Sequence, residues 1–112
     1  MIPGFEDETA PLSNEEMTAA MMFAKSFEKR IGEHNAITSG EITNAMKKVG
    51  FDLAGSRIRK IVNYIRRTKM VKNLVATSKG YYIENDPEKL AIYISSLKAR
   101  AEAIMAVADS YK

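Results

Sequence analysis

"SRIRKIVNYIRRTKMVKNLVATSKGYYI", residues 56–83, changes its hydrophobic period halfway along. In its first half Ile58, Ile61, Val62 and Ile65 fall at i, i+3, i+4 and i+7, which predicts a helix with one fully aliphatic stripe. β-Branched residues are only moderate helix formers, so packing of that stripe must hold the helix. Ser56, or Gly55 beside it, can cap its start. In the second half Leu74 to Thr77 and Tyr81 to Ile83 have strand composition. Ser78-Lys79-Gly80 between them can turn the chain, which predicts a hairpin with Lys79 at its tip.

The same stretch carries Arg57, Arg59, Lys60, Arg66, Arg67, Lys69, Lys72 and Lys79 and no Asp or Glu. At about 100° per residue, Lys60, Asn63 and Arg67 lie opposite the aliphatic stripe. Arg57 and Tyr64 take one shoulder, Arg59 and Arg66 the other. Every outward position is thus a hydrogen-bond donor or a cation, and Tyr64 is expected to pack rather than to touch a ligand. Tyr81 and Tyr82 alternate across a strand, which predicts one in the core and one exposed.

Working back toward the N-terminus, "EITNAMKKVG" reads as a short helix. It has a cap at Thr38 or Ser39, an apolar side of Ile42, Met46 and Val49, and a stop at Gly50. A short extended piece at Ala36 and Ile37 precedes it, and Phe51 and Leu53 tuck under the link to the next helix. Earlier still, "SNEE" offers Ser13 and Glu16 as a capping box. The helix it starts would bury Met17, Ala20, Met21, Ala24, Phe27 and Ile31 and end at Gly32, with Met17, Met21 and Met22 as core filler. Residues 1–12 hold two of the three prolines and no periodicity, and are expected to be a flexible acidic arm that competes for the basic face.

The C-terminal segment starts with Asp86 as N-cap and Pro87 at the first helical position. Leu90, Ile94, Leu97, Ala101, Ile104, Ala108 and Tyr111 alternate steps of four and three, the heptad seam of helices that pair. Two arrangements are open: the seam pairs with a second copy, or the helix folds back on the first helix. Small Ala101 and Ala108 permit close approach and favour the homodimer.

Composition narrows the function classes. A chain of 112 residues with net charge +3 holds one core. No apolar run approaches the ~18 residues of a membrane span, so a cytoplasmic protein with no membrane partner is expected. With no Cys and a single His34, no disulfide framework and no thiolate or histidine metal site can be built. Neither a catalytic triad pattern nor a glycine-rich phosphate loop is present, so no enzyme and no cofactor are expected.

Helix, short strand, helix, Gly-containing turn, basic helix and a hairpin with a basic tip resembles the winged helix-turn-helix DNA-binding domain. "EITNAMKKVGFDLAGSRIRKIVNYIRRTKMV" resembles its two helices and the exit to the wing, and "LVATSKGYYI" the wing itself. The tract from "SRIRKIV" through "ATSKGYY" is also similar to small proteins of phages and mobile elements. The resemblance implies a mainly α fold with a small β-hairpin wing over residues 13–85, followed by a C-terminal helix over 86–112. It further implies double-stranded DNA as partner, in a transcriptional or replication-linked accessory role. Arg57, Lys60, Asn63 and Arg67 would face DNA, Arg59 and Asn63 would contact bases, and Arg66, Arg67, Lys72 and Lys79 phosphates. Ser56, at the helix start, would hold a phosphate against free N–H groups. The alternative is a winged-helix adaptor that binds protein instead of nucleic acid.

Overall fold

Capping decides where each helix begins. In the computed structural model, which describes residues 10–111, α1 spans Asn14–Phe27, α2 Ser39–Lys48, α3 Gly55–Arg67 and α4 Pro87–Asp109. A hairpin of β1, Leu74–Thr77, and β2, Gly80–Ile83, lies between α3 and α4. The chain is mainly helical with one small antiparallel hairpin and a long C-terminal helix. The expected capping box at α1 forms, and of the two caps open at α2, Thr38 is the one used, in a second capping box. Ser13 Oγ accepts from the Glu16 N–H at 3.1 Å, Glu16 returns the bond, and Thr38 and Glu41 repeat the exchange at α2. At α4 the Asp86 carboxylate accepts from the N–H groups of Glu88 and Lys89.

α3 starts one residue early. Ala54 is its N-cap and offers no side-chain bond, so Gly55 and Ser56 lie inside the first turn and neither is the cap. The carbonyl of Ala54 accepts from the N–H groups of Arg57 and Ile58, and that backbone geometry opens the helix unaided.

The aliphatic stripe of α3 is the centre of the core, with Ile58, Ile61, Val62 and Ile65 all at or below 1% exposure. α1 packs across it with Ala19, Ala20, Phe23, Ala24 and Phe27. Ala20, Ala24 and Phe27 are buried as expected and Met17 partly so, but the rest of the expected face is not. Met21, at 64% exposure, and Met22 and Ile31 point outward, and α1 ends at Phe27 rather than at Gly32. The reason is steric: three alanines let the backbones of α1 and α3 approach closely, whereas methionines on that line would hold them apart. Ile42 and Met46 of α2 and Leu53 of the following link close the core, while Val49 stays exposed.

The hairpin is registered Leu74 with Ile83, Val75 with Tyr82, Ala76 with Tyr81 and Thr77 with Gly80. Its β2 edge is covered by the segment before α2, where Ile37 and Tyr81 exchange both backbone hydrogen bonds, at 3.0 and 2.8 Å. Leu74, Tyr81 and Ile83 face the main core, and Tyr81 packs on Phe27. Tyr82, expected to be exposed if Tyr81 is buried, is 7% exposed on the opposite face. Both tyrosines are therefore buried, and Val75, paired with Tyr82, borders the space shared with Leu90 and Tyr93 of α4.

α4 follows the hairpin rather than α1. Leu90, Tyr93 and Leu97 are half-buried, and from Lys98 to Tyr111 every residue is exposed. The fold-back onto α1 is therefore not adopted. Among the described residues no helix is long and apolar enough to cross a membrane. The expected acidic arm falls, for residues 1–9, outside the described residues, and Leu12 is partly buried against the core.

Two helices end alike. At α2 the N–H of Phe51 reaches the Met46 carbonyl, and Gly50, φ 91°, supplies the left-handed residue. At α3 the N–H of Met70 reaches the Ile65 carbonyl, and the left-handed residue is Lys69, φ 58°.

Candidate nucleic-acid interface

Opposite the aliphatic stripe, α3 divides into three sectors, each with a different neighbour. The first faces the start of α1. Arg57 donates to Glu16 through Nε at 3.2 Å and to Glu15 through Nη2 at 3.4 Å, and Lys60 Nζ lies 2.8 Å from Glu16 Oε1. Arg57 and Lys60, expected to face DNA, are thereby paired with carboxylates of α1, Lys60 mostly buried and Arg57 partly exposed. Glu16 is 3% exposed. Burial alone would push its carboxyl up, but hydrogen bonds from Lys60, the Ser13 N–H and Arg57 outweigh that and hold it at about 2. The capping box identifies Glu16 locally, while its second partnership, 41 residues away in sequence, leaves no local pattern.

The second sector meets α4. Arg66 donates through Nη2 to the Tyr93 hydroxyl at 2.6 Å and through Nη1 to Asn63 Oδ1 at 3.4 Å, with its guanidinium carbon 6.0 Å from the Tyr93 ring centre. The same Tyr93 oxygen accepts the Ala76 N–H of β1 at 3.1 Å. One hydroxyl thus ties α3, β1 and α4 together. Asn63 keeps its amide N–H groups as donors while Arg66 occupies its oxygen. Sequence reading missed Tyr93, which lies off the heptad seam.

The third sector is exposed. Ser56, Arg59 and Arg67 are exposed, followed by Lys69 and Lys72 in the connection to β1 and Lys79 at the hairpin tip. Among the described residues Arg67, Lys69, Lys72 and Lys79 take part in no ion pair. No Asp or Glu occurs from residue 53 to residue 83. Tyr64 is partly buried against the core, in keeping with a packing role.

Between α3 and α4 lies an open trough of about 500 Å³. Asn63, Arg66 and Arg67 form its polar side, and Leu90, Ile94 and Leu97 its apolar side. The first three seam residues therefore border this trough, while Ala101, Ile104, Ala108 and Tyr111 project into solvent. Compared with protein-family models, curated proteins and solved structures, the chain matches none.

Proposed function

We propose that this chain is a cytoplasmic, non-catalytic protein that binds double-stranded DNA in the winged helix-turn-helix manner and pairs through α4. One observation carries the reading: the exposed cations Arg67, Lys69, Lys72 and Lys79 run from the end of α3 to the hairpin tip with no Asp or Glu in the sequence between them. A protein face of one sign, bearing Arg and Asn on a helix, suits a duplex whose backbone is uniformly negative and whose major groove admits a helix. In this reading Arg59 and Asn63 contact base edges, Arg66, Arg67, Lys72 and Lys79 contact phosphates, and Ser56 receives a phosphate at the start of α3. Arg57 and Lys60 instead clamp α3 to α1 through Glu16 and set its angle.

Titration of a duplex at increasing salt tests this. With about four phosphate contacts the slope of log affinity against log salt is expected near −4, so affinity falls roughly 100-fold between 50 and 200 mM salt. Replacing Arg67, Lys72 and Lys79 with Ala flattens the slope by about three units, whereas Asn63→Ala relaxes preference at one base position. Salt-independent binding, or none, refutes the DNA reading. The trough favours one other reading, an adaptor, because its apolar wall opposite Arg66 and Arg67 fits an acidic amphipathic peptide.

Pairing rests on the exposed continuation of the seam. Truncation after Arg100 removes Ala101, Ile104, Ala108 and Tyr111, and sedimentation is expected to shift from dimer to monomer with the melting temperature of the core retained. A full chain that stays monomeric at high concentration removes the dimer, and with it the expectation of a two-fold symmetric DNA site.

A further inference from the structure

On the other side of Tyr93 from the trough, the hairpin, the start of α2 and the middle of α4 enclose a groove of about 630 Å³. The residues lining it include Ser39, Thr77, Ser78, Tyr93, Ser96 and Arg100, and none of those lining it is acidic. Tyr93, Ser96 and Arg100 recur at three- and four-residue spacing, so they share the side of α4 that looks toward the hairpin. That side adjoins the heptad seam without belonging to it.

The polar groups here are biased toward donation. Arg100 has no hydrogen-bond or ion-pair partner among the described residues. The Tyr93 oxygen already accepts from Arg66 and from the Ala76 N–H, so its own proton is left for a third partner. The N–H groups of Ser39 and Gly40, in the first turn of α2, have no intrahelical acceptor. The hydroxyls of Ser78 and Ser96 rotate to donate as required, and Ser39 Oγ, 3.3 Å from the Tyr81 hydroxyl, shares one proton of that pair and leaves the other for a ligand. Lys79, exposed in the turn beside Ser78, does not line the groove, so Arg100 is its charged residue. A cation and several donors, facing one another with no carboxylate between them, complement an anion with several oxygens.

We propose that this groove binds a phosphate group, with Arg100 supplying the charge and the hydroxyls of Tyr93, Ser39, Ser78 and Ser96 the directed hydrogen bonds. The choice of a DNA backbone as source of that phosphate rests on the function proposed above; the groove chemistry does not. α4 then has two jobs on two faces, pairing along the seam and phosphate contact beside the hairpin tip.

Two measurements on the full chain test it. In the first, inorganic phosphate is titrated while backbone amide NMR shifts are followed. The amides of Ser39, Gly40 and Ser96 are expected to move, the movement to vanish in Arg100→Ala, and Arg100→Lys to retain part of it. In the second, duplex affinity of Arg100→Ala is expected to fall roughly five- to tenfold on every sequence, with the salt slope flattened by about one unit, the share of a single phosphate contact. Arg100 is exposed and Ala favours helix, so the variant keeps its fold. If Arg100→Ala changes neither the phosphate shifts nor the duplex affinity, or if phosphate moves surface lysine amides throughout the protein alike, the site is refuted. Groove shifts with phosphate in a protein that binds no duplex would uphold the site for a free phosphate ester and dispose of the DNA reading alone.

Discussion

Gly80→Ala is expected to destabilise the fold by about 3 kcal/mol or more and to lower the melting temperature by at least roughly 10 °C. Gly80 opens β2 with φ at 120°, a backbone conformation that side-chain-bearing residues rarely adopt. A Cβ there would stand 2.5 Å from the carbonyl oxygen of Ile37 and 2.7 Å from its carbon. Neither atom can yield cheaply, because that carbonyl accepts the Tyr81 N–H at 2.8 Å and so holds the strip before α2 against β2. The methyl must therefore part the two segments or twist the hairpin, and either motion uncovers Tyr81 and Ile37. Total stability of a small domain is about 5–15 kcal/mol, so the loss is a large fraction of it. Thermal unfolding followed by circular dichroism measures it; a change below about 1 kcal/mol would mean that the hairpin base shifts freely.

Glu16→Gln is expected to cost roughly 2–3 kcal/mol at neutral pH, and the cost is expected to disappear in acid. The carboxyl sits at about 2 in the folded protein against 4.5 for an ordinary glutamate. A depressed folded value means that the ionised form stabilises the fold. That contribution is complete above about 4.5, declines as pH falls, and is gone below about 2, a span worth of order 3 kcal/mol. Glutamine keeps the size and one acceptor for the Ser13 N–H, but it leaves Lys60 and Arg57 without their shared negative charge. Lys60 suffers most, since its side chain is only 14% exposed, whereas Arg57 and Glu15 are largely solvated and add little. Urea unfolding of both proteins at pH 7, 4 and 2.5 checks the sign. The two stabilities should converge as pH drops, and a gap independent of pH would show that Glu16 acts through shape alone.

Local chemistry explains which features could be read in advance. Ser13 with Glu16, Thr38 with Glu41, Gly50, Asp86-Pro87 and the hairpin turn each act within a few residues of themselves, and each element formed where they place it. The stripe of Ile58, Ile61, Val62 and Ile65 told correctly which side of α3 is buried. What it could not tell is what stands beside the other sides. A helical wheel places Arg57 and Lys60 outward, yet only the packing of α1 brings Glu16 to them, and only the path of α4 brings Tyr93 to Arg66. The same limit misplaced Met21 and Met22 of α1: methionine outweighs alanine in hydrophobicity, but contact with α3 selects for small size. That both Tyr81 and Tyr82 are buried, rather than one of them, likewise depends on tertiary neighbours that strand alternation does not register.

Gly50 and Lys69 hold the same station at the ends of α2 and α3, with matching backbone bonds, yet one is the residue that enters the left-handed region freely and the other is not. A non-glycine residue there gives up about 1 kcal/mol. At α2 the chain takes the easier option, and the left-handed residue itself carries no charge. At α3 it accepts a standing backbone tension, and in exchange an ammonium group is anchored at the elbow where the basic helix bends toward the hairpin. The strain is thus a local record of conflicting demands: chain reversal alone would favour glycine at residue 69, and the lysine there continues the positive surface across a joint that glycine would leave bare.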